Sequence, residues 1–269
     1  MRKRLSILSL VGALAVTLVA GPAVAAGTVV VNETNLGVDW HSADTRLGGT
    51  RAFTTVGGRS ALQMVTDETN AAKVQTFTSI YDGRTLNDIT SLSYTTWRDG
   101  SSTGFVAGSV ALNLVVDTDG NASGDTYLVY EPYLDKGNDA VRTNTWQTWD
   151  AIAGGSGTWW INTGAGGCGA SAGCTWNQVK AIIGNAPLTP ETAKGFKGSL
   201  GLNLGSYNPG LVTAVDTLEV NGTTYDFAPR VFSKADCTKG GWATNFPADM
   251  FINQGDCVSY FASNGKTHK

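Results

Sequence analysis

The sequence predicts an all-β protein: an antiparallel β-sandwich with one short helix and a small disulfide-stapled C-terminal segment. Three observations carry this expectation. Short runs of β-branched and aromatic residues recur along most of the chain, divided by Gly, Asn and Asp clusters. Charged residues make up only 15% of the sequence, against about 25% in an ordinary domain, while glycine reaches 34 residues. A helical period is sustained in one stretch alone.

The chain begins with an export signal. Arg2, Lys3 and Arg4 form a positive start, Leu5 to Ala20 is almost wholly apolar, and Ala23-Val24-Ala25 is a small-residue cleavage site. The apolar run is short for a membrane anchor, and no second run of spanning length follows. Residues 1–25 therefore read as a signal peptide, 26–230 as the sandwich and 231–269 as the C-terminal segment. The expected product is secreted, extracellular or cell-wall associated, with no membrane insertion after cleavage. Losing three cations takes the formal charge from −3 to −6. No Lys/Arg cluster remains, which excludes nucleic acid as an expected partner.

Strands are expected at Ala61–Val65, Val74–Thr78, Leu92–Tyr94 and Leu112–Val116. Val56-Gly57-Gly58-Arg59 has the look of a hairpin turn. Leu218–Tyr225 is a stronger hairpin, because Asn221-Gly222 accepts the positive φ angles of a type I′ turn. Strands at this spacing, about ten in all, suit antiparallel sheets packed face to face. The helix is expected after Thr175, which has capping-box spacing to Gln178. Trp176, Val179 and Ile183 then share one face, and Gly184 stops it. A further turn is expected at Thr189-Pro190.

Four cysteines in an exported chain read as disulfides. Of the three pairings, the local one is adopted: Cys168 with Cys174 and Cys237 with Cys257. Zinc is disfavoured, because the spacing is wrong and only His41 and His268 lie beyond the signal. The last forty residues cannot build much of a core alone, so a staple there makes physical sense, whether around a small module or a terminal hairpin.

The candidate chemistry is sparse. Asp117, Asp119, Asn121, Ser123 and Asp125 alternate as oxygen ligands for calcium would. Against the EF-hand loop they fall at positions 1, 3, 5, 7 and 9, yet position 6 is Ala122 and position 12 is Leu128, so an EF-hand is excluded. A turn between two strands explains the same residues. The reading adopted is a turn, with Asp117, Asp119, Asn121 and Asp125 as an alternative calcium set. Trp146, Trp149, Trp160 and Tyr130, from the aromatic-rich stretch 127–160, are the candidate glycan-stacking residues. Core packing is their competing role. In a strand, Trp146 and Trp149 would face opposite sides. Gly169-Ala170-Ser171-Ala172-Gly173 formally matches G-x-S-x-G, but a Gly-rich loop precedes it and cysteines bracket it, so no serine nucleophile is expected. Glycosidase chemistry needs two carboxyl groups about 5–10 Å apart. With five Glu and no E-x-D-x-E run, the sequence identifies no catalytic pair.

Two longer stretches carry a resemblance. "LSYTTWRDGSS", "LNLVVDTDGNASGDTYLVYEPY", "WQTWDA" and "VDTLEVNGTTYDF" together resemble a group of exported bacterial β-sandwich domains of jelly-roll or lectin-like type, over roughly residues 30 to 230. Cys237, Gly240-Gly241-Trp242, Phe246, Phe251 and Asn253-Gln254-Gly255-Asp256-Cys257 resemble a short C-terminal segment of secreted actinobacterial proteins. The resemblance implies a sandwich and an extracellular place, and no activity. The functional expectation is a non-catalytic protein binding polysaccharide or cell-wall glycan. The alternatives are a secreted carbohydrate-active hydrolase and a purely structural envelope protein.

Overall fold

The computed structural model describes residues 27–246, 250–263 and 265; the expected signal peptide, residues 1–25, and His268 lie outside them. The chain forms a β-sandwich of two seven-stranded sheets. Sheet A contains β1 (Gly27–Val31), β3 (Gly49–Val56), β4 (Arg59–Thr66), β6 (Leu92–Arg98), β9 (Gln147–Asp150), β13 (Val212–Val220) and β14 (Thr223–Phe227). Sheet B runs in the order β11 (Cys174–Thr175), β10 (Thr158–Ile161), β8 (Thr126–Tyr130), β7 (Ala111–Val116), β12 (Leu200–Leu204), β5 (Val74–Thr78), β2 (Trp40–His41). All these pairings are antiparallel except β1 with β14. More strands are present than the sequence spacing suggested, and β4, β5, β6 and β7 equal or exceed the runs expected there.

Both predicted hairpins exist. β3 and β4 meet at Val56 and Arg59 across Gly57-Gly58, and β13 and β14 meet at Val220 and Thr223. Asn221 and Gly222 have φ of 53° and 80°, the left-handed pair that a type I′ turn requires. β13 is the hub of sheet A. Along one edge it pairs with β6, and along the other first with β4 and then with β14. The register shift between Val215 and Thr217 lies where that second edge changes partner.

The inward faces make one core. Leu112, Leu114 and Val116 of β7, Leu128 and Tyr130 of β8, and Leu200, Leu202 and Leu204 of β12 meet Leu62, Met64, Leu218 and Tyr225 of sheet A. Aromatic rings fill both ends. Trp40 packs edge-on to Tyr225 and Phe227, while Tyr94, Tyr130, Trp159 and Trp176 form a continuous series.

More helix is present than the single one expected. The predicted segment is α2 (Trp176–Ile183), with α1 (Pro132–Lys136) before it. The Gln178 amide donates to the Thr175 hydroxyl, and the Thr175 amide donates back to the Gln178 side chain. A single 3-10 turn, Thr192–Lys194, follows Thr189-Pro190. Of the two forms considered for the C-terminal segment, the terminal hairpin is not what forms. The segment holds α3 (Gly241–Thr244) and α4 (Gln254–Ala262), with Asn253 capping α4. Cys237–Cys257 ties α4 to the 3-10 turn Lys234–Cys237. Phe246 and Phe251 form a second small core there, apart from the sandwich interior. The other disulfide is Cys168–Cys174, and no free cysteine remains. No helix among the described residues is long and apolar enough to cross a membrane.

Candidate functional site

The outward face of sheet B is not an ordinary solvent face. β7 and β5 are buried along their whole length, so both sides of the sheet are covered. The outer cover is a cleft of about 410 Å³. Strand alternation sets its floor. In register, Ala111, Asn203 and Gln75 lie side by side on β7, β12 and β5. The next row is Trp160, Val129, Asn113, Gly201 and Phe77. Tyr127, Val129 and Glu131 share one face because they are two residues apart. Gly201 is required for a steric reason: a Cβ there would stand 2.4 Å from the Thr76 carbonyl oxygen of β5.

The floor carries a chain of amides. The Asp44 backbone N–H donates to Gln75 Oε1 (3.0 Å), Gln75 Nε2 to Asn203 Oδ1 (3.1 Å), and Asn203 Nδ2 to Asn113 Oδ1 (3.4 Å). Asn113 is 4% exposed and lines the cleft, so the donor chain ends with its amino group there. Side chains of this kind suit neutral, hydroxyl-rich ligands, which need both donors and acceptors.

Charged groups stand at the margins. Asp44 accepts from Arg46 Nε at 2.9 Å and from Lys73 Nζ at 2.9 Å. The Arg46 hydrogen bonds hold its carboxyl down at about 2 against the opposing effect of burial. Glu191 accepts from the Tyr127 hydroxyl and pairs with Lys194 at 2.7 Å. Burial, then that bond to Glu191, pushes the Tyr127 phenol up. Glu131 differs from both other carboxylates. Its Oε2 accepts from Trp160 Nε1 (2.9 Å) and the Tyr133 hydroxyl (3.4 Å), and it makes no ion pair among the described residues. Burial raises its carboxyl above the usual range, and those two hydrogen bonds only partly offset this.

The four aromatic candidates do not come together. Trp160 is half-buried and lines the cleft. Trp146 lies on the other sheet, its ring 5.5 Å from Trp97 and 5.4 Å from the Arg59 guanidinium. Trp149 and Tyr130 are corrected to the core. Trp149 is 5% exposed and its Nε1 donates to Thr96 Oγ1, while Tyr130 is fully buried and its hydroxyl donates to Asp135. The opposite orientation of Trp146 and Trp149 follows from strand alternation. Gln75, Asn113, Asn203, Glu131 and Glu191 were not singled out from sequence. The signal for Asn113 and Asn203 was a single amide within a strongly apolar strand, as in "LNLVV" and "LGLNL"; Glu131 and Glu191 carried no such signal.

The acidic loop is the turn between β7 and β8. Asp117, Asp119 and Asp125 each bring a carboxylate oxygen within 4.8 Å of the others. Those oxygens already serve the loop itself. Asp117 accepts the Gly120 and Ala122 amides, Asp119 the Asn121 amide, and Asp125 the Thr118 amide. Burial opposes ionisation of Asp117, but the Ala122 and Gly120 amides prevail and its carboxyl is held low. Asn121 Oδ1 accepts the Ser123 amide. The arrangement is a self-bonded turn in which three acidic groups converge.

Ser171 is exposed in the disulfide loop, whereas His41 is buried with its Nε2 3.3 Å from Ser79 Oγ. Among the described residues, the formal nucleophile motif therefore has no histidine beside it. Comparison with family models, curated proteins and solved structures finds no match to the chain.

Proposed function

We propose that the protein is exported and binds an extracellular or cell-wall glycan in the cleft on the outer face of sheet B, without catalysing its breakdown. The observation that carries this reading is the cleft floor: an amide row of buried Gln75, half-buried Asn203 and buried Asn113, ending two strands from the indole of Trp160. Amides read hydroxyl groups in both senses, and an indole offers an apolar surface to a sugar ring. The N-terminal signal pattern and two disulfides support an oxidising, extracellular setting.

The hydrolase reading draws on Glu131 and Glu191, both in the cleft. Glu191 is bound to Lys194 and Tyr127, which leaves it poorly placed to serve as base or nucleophile. Binding is the simpler use of the site. Affinity electrophoresis in gels containing soluble polysaccharides tests it. Wild-type protein is retarded in at least one gel, while Trp160→Ala and Asn113→Ala migrate as in the blank gel. No retardation in any gel supports a purely structural role. Reducing ends released from a retarding polysaccharide by wild type, but not by Glu131→Gln, support the hydrolase.

A further inference from the structure

Among the carboxylates that line the cleft, Glu131 alone lacks a cation. Asp44 has Arg46 and Lys73, and Glu191 has Lys194. Glu131 is half-buried, both its protein hydrogen bonds fall on Oε2, and Oε1 has no hydrogen-bond donor among the described residues. A half-buried carboxylate with one oxygen unbonded and no counter-charge can take a donor that also brings positive charge. The indole that donates to it, Trp160, borders the same space. An aromatic ring beside a carboxylate favours an ammonium group, through the ring quadrupole and direct charge pairing together.

Resting on the glycan-binding reading, we propose that the cleft prefers a sugar unit bearing a free, protonated amine, lying beside Trp160 with its ammonium on Glu131 Oε1. A sugar hydroxyl would satisfy Oε1 and leave the charge uncompensated. An ammonium supplies both. The cations already in the cleft do not oppose this, because each is held by its own carboxylate. The one local excess, Arg46 and Lys73 on Asp44, lies by β5, three strand spacings or about 14 Å across the sheet from β8.

The test compares two oligomers that differ only in the amine: a glucosamine hexamer and an N-acetylglucosamine hexamer, titrated calorimetrically into the full chain. Wild type binds the free-amine hexamer about tenfold more tightly or better. In Glu131→Gln that preference collapses: affinity for the free-amine hexamer falls by a larger factor than affinity for the acetylated hexamer, and their ratio approaches one. Equal affinities in wild type, or a preference that survives in Glu131→Gln, overturn the proposal. Retention of the acetylated hexamer alone overturns it while leaving the cleft a glycan site. Binding of neither hexamer overturns it too; the polysaccharide gels then decide separately whether the glycan reading stands. The wild-type comparison needs no variant, so an early-melting Glu131→Gln does not rescue the idea.

Discussion

Glu131 and Asp44 are two carboxyl groups in one cleft whose environments push them in opposite directions. Burial raises Glu131, so its ionised form is disfavoured in the folded state. The folded state is favoured while Glu131 is protonated, and that advantage disappears as pH rises through the raised folded value. Glu131→Gln cannot ionise and still offers Trp160 an acceptor. Its melting temperature relative to wild type should therefore be higher at pH 7 than at pH 4; an equal difference at both would deny the burial effect. Asp44 has the reverse sign, contributing stability above the ordinary Asp range that is lost as pH falls through about 2. Trp149 and Trp160 are separable in the same way. Trp149→Ala opens the core and should cost about 3–5 kcal/mol, while Trp160→Ala should lower the melting temperature less and abolish glycan retention. Comparing denaturant melts with gel retardation for the two variants checks this. The sequence could not make the distinction. Leu128, Val129 and Tyr130 are consecutive apolar residues in a sheet covered on both faces, so no hydrophobic alternation shows which parity faces inward.

Elements with local causes were legible. The Asn221-Gly222 hairpin and the capping box of α2 follow from backbone chemistry within a few residues, and both formed where expected. The fork of sheet A at β13 and the covering of sheet B depend on contacts distant in sequence, which no local pattern encodes. The β7–β8 turn lies between these cases. Its residues announced a turn, with calcium as the alternative. The carboxylates accept amides within the loop, which supports the turn reading. Thermal melts in millimolar calcium and in chelator should superimpose; a clear rise with calcium, weakened in Asp119→Asn, would establish a metal site instead. Gly201 marks the other element-level constraint. Gly201→Ala forces a Cβ against the β5 backbone, and a loss of about 2 kcal/mol in a denaturant melt is expected.

At the scale of the whole molecule there are two cores of unequal size. The sandwich interior spans both sheets, and the C-terminal cluster around Phe246 and Phe251 is held by Cys237–Cys257. Arg230 immediately precedes that segment, its amide donating to Glu33 beside β1. Replacing both Cys237 and Cys257 by Ala should loosen the segment by about 3 kcal/mol. Proteolysis should then cut beyond residue 230 while the sandwich melts as before; loss of the sandwich transition would show that the two cores fold as one. The staple was legible from cysteine spacing, but its helices were not, because α4 is short and Gly255 interrupts its start. The central claim concerns the outer face of sheet B, and a side-chain NMR titration tests it most directly. On adding an oligosaccharide from a retarding polysaccharide, the amino resonances of Gln75, Asn113 and Asn203 should shift together with the Trp160 indole N–H. The Trp97 and Trp146 indoles on sheet A should stay in place. Shifts confined to Trp97 and Trp146, or none at all at saturating ligand, would contradict the account.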